Sequence, residues 1–191
     1  ILTHGDYDHI GDAINLLNEI KVDEVLFNND SFNDNENKII KVLDKKNIKY
    51  SKNSWDLKKI EDLYFLNTKM YDNENDNSNV IYTELDGYKF IFMADAGIDK
   101  EKDILDKYNI SGIDVLKIGH HGSKTSSSKY FINEIKPKYS IISVGENNRY
   151  GHPNNEVLKN LANSKIYRTD LDGSIVFRIK NDKLKIETCA P

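Results

Sequence analysis

The sequence predicts an α/β sandwich, and three observations carry that expectation. Short apolar segments with strand character alternate along the chain with segments of helical spacing, which favours layered sheet and helix over a bundle. Four times an apolar strand ends in a glycine-bounded loop bearing His or Asp, the way α/β scaffolds present sites from strand ends. The 191 residues suffice for one sizeable core, so a single domain over 1–191 is expected, with no repeat or linker dividing it.

In chain order, Ile1-Leu2-Thr3 reads as a strand entered midway, so strands ahead of it are expected to be missing. Asp12 to Ile20 has helical spacing at Ile14, Leu16, Leu17 and Ile20, with Asp12 as its cap. A strand at 24–27, a polar loop at 28–35, a helix at 36–46 and strands at 48–50 and 63–66 follow. The polar run Asp72 to Asn79 reads as a surface loop. Two apolar runs, 80–85 and 89–93, meet at Asp86-Gly87, a hairpin signal. Then come a helix at 100–108, a strand at 115–118, a helix at 129–135 ending before Pro137, and a strand at 139–144. A helix at 155–163 capped by Asn154 precedes strands at 166–168, 174–179 and 184–186, with turns at Asp172-Gly173 and Asn181-Asp182.

Composition excludes several classes. Hydrophobic residues make up 38% and charged residues 30% of the chain, as in a soluble globular protein. The longest apolar run, Phe90 to Ala94, falls far short of the ~20 residues that span a bilayer. The single Cys189 excludes an intrachain disulfide framework. A net charge of −4 speaks against holding long DNA by bulk electrostatics. Its distribution is uneven: residues 1–95 carry 11 Lys/Arg against 19 Asp/Glu, whereas 115–168 carry 9 against 3. That basic window contains His120, His121 and His152 and suits an anionic substrate, although a solvated lysine-rich face would read the same.

The densest chemistry is His4-Gly5-Asp6-Tyr7-Asp8-His9. Imidazole and carboxylate are divalent-metal ligands needing little or no deprotonation at neutral pH. Charge at this density is costly to bury without a cation, and a solvated acidic loop is the alternative. All five histidines, His4, His9, His120, His121 and His152, fall in glycine-flanked clusters rather than on apolar helix faces. Asp95 closes a strand immediately before a glycine turn, well placed to join them.

These segments resemble a known family. His4-x-Asp6-x-Asp8-His9 resembles the signature of the metallo-β-lactamase superfamily, with Asp6 where most members carry histidine. Asn75-Asp76-Asn77-Ser78, the strand ending in Asp95, Leu116 to Ser123, Ser143 to Pro153, Tyr167 to Asp170 and Asp172-Gly173 are similar to the C-terminal hydrolase domain of the ComEC family of bacterial DNA-uptake channel proteins. The resemblance implies a metallo-β-lactamase αββα sandwich lacking its N-terminal strands. It implies two divalent ions, manganese or zinc with magnesium also compatible: His4 and Asp6 on one, Asp8 and His9 on the other, Asp95 bridging. His120 or His121 would complete the second site, with His121 preferred. No histidine lies between His9 and Asp95 to complete the first, leaving Asn77 or water.

The expected chemistry is phosphodiester hydrolysis at paired metals about 3.5–4 Å apart. Asp8, His120 and His152 are the expected catalytic residues, with His120 or His152 protonating the leaving oxygen. Ser123, Lys124, Asn148 and Arg149 are expected to bind substrate, with phosphates also passing Lys117; for Lys124 and Arg149 an ordinary surface charge is the alternative. Ser126 to Ser128 read as a polar helix lead-in. The implied protein is a nuclease degrading one DNA strand during uptake in natural transformation. Its partner is single-stranded DNA, and the segment itself does not contact membrane but is tethered, extracytoplasmically, to a membrane channel. The alternatives are a stand-alone hydrolase of small phosphodiesters, thioesters or lactones, cytoplasmic or secreted, and a metal-free binding module.

Overall fold

The computed structural model describes residues 1–54 and 59–190. Its main sheet has seven strands: β3 (Lys59–Ile60), β4 (Leu63–Phe65), β5 (Ile81–Leu85), β6 (Tyr88–Phe92), β7 (Val115–Lys117), β8 (Tyr139–Ile142) and β9 (Lys165–Arg168), in that order across the sheet. Pairing is antiparallel from β3 to β6 and parallel from β6 to β9. β1 (Glu24–Phe27) and β2 (Lys49–Lys52) form a separate parallel pair, and β10 (Ser174–Lys180) and β11 (Lys183–Cys189) an antiparallel one. The α/β expectation holds.

Alternation along the strands decides what each face of the main sheet covers. Ile91, Leu116 and Ile142 are fully buried in a cluster with Ile104 of α4 (Ile98–Lys107), Phe131 and Ile135 of α5 (Lys129–Ile135) and Val157 of α6 (Asn155–Asn160). Fully burying each such side chain stabilises the fold by ~1.5–3 kcal/mol. Phe90 and Tyr139 point the other way and pack edge-on against Phe177 of the β10–β11 pair. A second cluster joins β1 to α2 (Ala13–Glu19) and α3 (Asp34–Lys46) through Leu17, Phe27, Ile39 and Leu43.

Turn chemistry explains most element boundaries. Asp86 and Gly87 both take positive φ (47° and 80°), the conformation a two-residue hairpin between β5 and β6 requires. Asn181 and Asp182 do the same between β10 and β11, and those strands run longer than predicted. Asn33 caps α3 with a full capping box: its Oδ1 accepts from the Asn35 and Glu36 amides while Glu36 Oε2 accepts from its own. The helix therefore starts two residues earlier than its apolar spacing implied. Asn154 caps α6 as predicted, accepting from the Glu156 amide at 2.9 Å. Asp12 does not cap: its carboxylate instead accepts from Asn15 Nδ2, and its backbone (ψ 0°) is not extended. The expected capping contact at Asp12 is thus replaced by a local side-chain pair.

The opening residues tie the two sheets together. The Leu2 amide donates to the Leu26 carbonyl, while Asn79 donates from Nδ2 to the Leu2 carbonyl and from its amide to that of Thr3. Gly5 follows in a tight node: its amide donates to Glu74 Oε1 at 2.8 Å, and its carbonyl accepts from Asn33 Nδ2 at 3.0 Å. A Cβ on Gly5 would lie 2.1 Å from Asn33 Nδ2 and 2.4 Å from Glu74 Oε1. Gly5→Ala should therefore destabilise the protein by about 1–3 kcal/mol, the usual cost of overpacking. Asn33→Ala loses its cap, at about 1 kcal/mol. The double variant should be less destabilised than the two effects added, because removing Asn33 makes room for the methyl. Urea unfolding of the four proteins measures this; strict additivity would contradict the steric account.

Candidate metal centre

Three strand ends and the opening segment converge on Asp95. The opening motif enters with His4 fully buried and then turns into α1 (Tyr7–Ile10), a single helical turn carrying Asp8 and His9, closed by bonds from the His9 and Ile10 amides to the Asp6 carbonyl. Asp95 follows β6, with Ala94 before it at φ 49°, and its amide meets Ser78 Oγ at 3.4 Å. His120 and His121 follow β7, both in the left-handed region (φ 45° and 54°), with Gly122 after them at 82°. The His120 amide donates to the Ala94 carbonyl, coupling the two strand ends, and a Cβ on Gly119 would sit 2.7 Å from the Ala96 carbonyl oxygen.

The two oxygens of Asp95 face different partners. Oδ1 lies 3.0 Å from His9 Nε2 and 3.7 Å from His121 Nε2. Oδ2 lies 3.8 Å from both His4 Nε2 and His120 Nε2. Asp8 Oδ2 lies 3.1 Å from His121 Nε2 and 3.9 Å from His9 Nε2, whereas Asp6 Oδ2 lies 3.6 Å from His4 Nε2. Among the described residues two groups thus have ligand atoms mutually within 4.8 Å: His4, His9 and Asp95, and Asp8, His9 and His121. His4 Nε2 and Asp95 Oδ1 are buried with no hydrogen-bond partner. Such orphans are rare and costly in a folded protein, and a divalent cation satisfies both. The residues fit the ions the resemblance implies.

Charge states agree with this geometry. Burial, reinforced by His9, pushes the His4 pKa down to about 4, so near pH 7 the ring is neutral and one nitrogen keeps a free lone pair. Burial alone would raise Asp95, but neighbouring His9, with His4 and His121, brings it down to about 2. Burial lowers His9 too, yet the adjacent Asp95 outweighs it and raises the net value.

Ring nitrogens separate the two adjacent histidines. His121 Nδ1 lies 2.7 Å from the Ser143 carbonyl, which only accepts, so this nitrogen carries the proton and a neutral ring points the Nε2 lone pair at Asp8, His9 and Asp95. His120 Nδ1 instead lies 3.4 Å from both Asn75 Nδ2, which donates, and Thr125 Oγ1, which can donate or accept.

The remaining expected residues divide. His152 stands beside the site, its ring 6.0 Å from that of His120, held by Asn148, which donates to its carbonyl and accepts from its amide. Its pKa is lowered by burial and then by His120 and His121. Asn148 and Arg149 line a cavity of about 840 Å³ that also contains Asp6, Asp8, Asp95 and His120. Ser123 is buried and hydrogen-bonds with Thr125, and exposed Lys124 is not among the lining residues. Lys117 is half-buried, donates to the Ile118 carbonyl, and has its pKa lowered by burial against the pull of Asp95. Asn77 is committed elsewhere, accepting from the Tyr71 amide and donating to Asp30 and the Tyr71 carbonyl. Ser128 caps α5, in keeping with a lead-in. Sequence reasoning assigned no role to Tyr7 and Tyr150, exposed tyrosines on the cavity wall, or to Asn75, Glu74 and Asn33, whose roles arise from long-range contacts, although Asn75 and Tyr150 lay within the family-like motifs.

Comparison with known proteins agrees with the motifs. The family model for the metallo-beta-lactamase superfamily matches residues 1–146. The chain is 35% identical over 189 residues to ComE operon protein 3 of Bacillus subtilis, covering 95% of this chain and 24% of that protein. It is 34% identical over 133 residues to competence protein ComA of Neisseria gonorrhoeae (66% of this chain, 19% of that one) and 32% identical over 116 residues to recombination protein 2 of Haemophilus influenzae (60% and 14%). It therefore spans about a quarter or less of the curated relatives it matches. Among the described residues no helix is long and apolar enough to cross a membrane. With the family model matching most of its length over the segment that carries Asp95 and all the histidines but His152, the chain belongs to the metallo-β-lactamase superfamily.

Proposed function

We propose that this chain is a metal-dependent phosphodiesterase that cleaves one DNA strand during uptake. The observation that carries the reading is the convergence on Asp95, which lines a cavity also lined by Arg149 and meets the buried, unpartnered His4 Nε2 from behind it. Asp8, His9, His121 and Asp95 would hold one divalent cation, and His4 and Asp6 with Asp95 a second. When bound, the cations supply an activated water at neutral pH and neutralise charge on the phosphoryl group. The oxygen ligands Asp6, Asp8 and Asp95 favour manganese or magnesium over zinc.

The chain's own groups do the rest. His120, its Nδ1 facing Asn75 and Thr125, presents its ring to the cavity and, in its imidazolium form, gives a proton to the leaving oxygen and returns to neutral imidazole. His152, clamped by Asn148, closes the opposite side of His120. Arg149 on the cavity wall offers a cation to a non-bridging phosphate oxygen. Lys124 lies off this wall and Lys117 is occupied, so Arg149 replaces them as the substrate cation.

The relatives' names supply the setting: two carry competence or com-operon names and one a recombination name. The reading follows them to a domain attached to a membrane channel on the extracytoplasmic side, acting on incoming single-stranded DNA. Affinity from so few positive charges is weak and falls as salt rises, and tethering offsets this by raising local substrate concentration.

Two measurements test the reading. Metal analysis after dialysis against manganese should find about two ions per chain, falling in Asp95→Ala and falling further in His121→Ala than in His120→Ala; fewer than one ion in the wild type would contradict the dinuclear centre. Manganese-stimulated cleavage of a labelled single-stranded oligonucleotide should fall by more than ~100-fold in His9→Ala, beyond the loss seen when only outer-shell partners change. Arg149→Ala should weaken it and Lys124→Ala leave it nearly intact. Turnover of bis-p-nitrophenyl phosphate without DNA cleavage would favour a small phosphodiester, and β-lactam hydrolysis alone would overturn the phosphate reading.

A further inference from the structure

We propose that Tyr150, together with Tyr7, forms a base-stacking platform that restricts this site to unpaired nucleotides, a proposal that rests on the phosphodiesterase reading above. Single exposed tyrosines are ordinary on protein surfaces, and Tyr130 of α5 is one, 58% exposed and away from the cavity. Tyr150 differs in three ways. Its ring is 67% exposed yet lines the same cavity as Asp95 and His120. It is already ordered, lying nearly parallel to His152 at 5.8 Å between centroids and 19° between planes, with its hydroxyl accepting from Arg149 Nη2 at 2.8 Å. The Arg149 guanidinium lies over the ring, 5.0 Å from its centroid, so a cation and a largely exposed aromatic ring are presented together.

That pairing matches one nucleotide: a base with a π-face and a phosphate one sugar away. Tyr7 adds a second ring, 74% exposed, on the same cavity, one residue from Asp6 and Asp8. Prior ordering by His152 and Arg149 lowers the entropy lost when a base settles on Tyr150. A base inside a duplex is stacked on both faces and cannot reach such a ring without unpairing, so the platform selects single strands by geometry rather than sequence.

The test is equilibrium binding, with chelator present so that nothing is cleaved, of a fluorescein-labelled oligothymidylate and an abasic oligonucleotide of equal length. The wild type should bind the base-bearing strand about tenfold more tightly, within the range for one stacked base. Tyr150→Ala and Tyr7→Ala should each erode that ratio, Tyr150→Phe should keep most of it, and Tyr130→Ala should leave it unchanged. Equal affinity of the wild type for the two strands, or no binding to either, overturns the platform whatever the cleavage assay shows. A base-dependent ratio lost in Tyr150→Ala, found alongside no manganese-dependent cleavage, upholds the platform and removes the phosphodiesterase reading instead.

Discussion

A buried carboxylate crowded by four imidazoles is the constraint on which the rest of this structure depends. Asp95 is almost fully enclosed, its Oδ1 has no hydrogen-bond partner, and four imidazole Nε2 atoms stand 3.0 to 3.8 Å from its two oxygens. Hydrophobic packing does not create such an arrangement, because each buried polar group costs free energy until it is paired. The ring nitrogens of His9 and His121, 3.2 Å apart, cannot both donate to one another. A shared cation resolves these conflicts together, which is why the centre reads as a ligand set rather than a hydrogen-bond network.

Holding the ligands there requires unusual backbone. Ala94, His120 and His121 all take left-handed conformations, each costing roughly 1–2 kcal/mol for a residue with a Cβ. Packing around them offsets that cost. The His120 amide meets the Ala94 carbonyl, Lys100 donates to the Ser78 carbonyl, and Asp76 accepts from the Gly97 amide. Buried Glu101 of α4 accepts from the Ser127 and Ser128 amides and so pins the loop that leaves the histidine pair. The site is therefore built from the carboxyl ends of β6, β7 and β8, where α/β sheets place their ligands, with the opening motif folded onto them.

Much of this was legible in the sequence because the relevant signals are local. Strand-then-glycine loops bearing His or Asp marked the loops that carry Asp95, His120 and His121, and Asp86-Gly87 fixed its hairpin through the positive φ both residues adopt. The polar run 72–79, expected at the surface, instead buries Asp76 to Asn79 and sets Ser78 against Asp95. What sequence could not supply depends on contacts between distant residues. His120 and His121 differ in what their Nδ1 atoms meet, Asn75 and Thr125 for one and the Ser143 carbonyl for the other, and Asn75 and Ser143 are distant in sequence. Lys117, Lys124 and Ser123 looked like phosphate ligands because they lie in a basic, polar window, but one is half-buried, one lies off the cavity wall and one is turned inward to Thr125. Asp12 failed as a cap because Asn15 took its carboxylate. Tyr150 stood within the family-like segment Ser143 to Pro153 without a role, and Tyr7 carried no such signal, since an isolated tyrosine in a polar loop gains meaning only from what it faces.

The most direct measurement is anomalous diffraction from a crystal soaked in manganese. Two peaks are predicted, one on each side of the Asp95 carboxylate, the first shared with Asp8, His9 and His121 and the second with His4 and Asp6. Ordered protein with no peak within bonding distance of Asp95 at saturating manganese would contradict the dinuclear centre and, with it, the hydrolytic chemistry built on it.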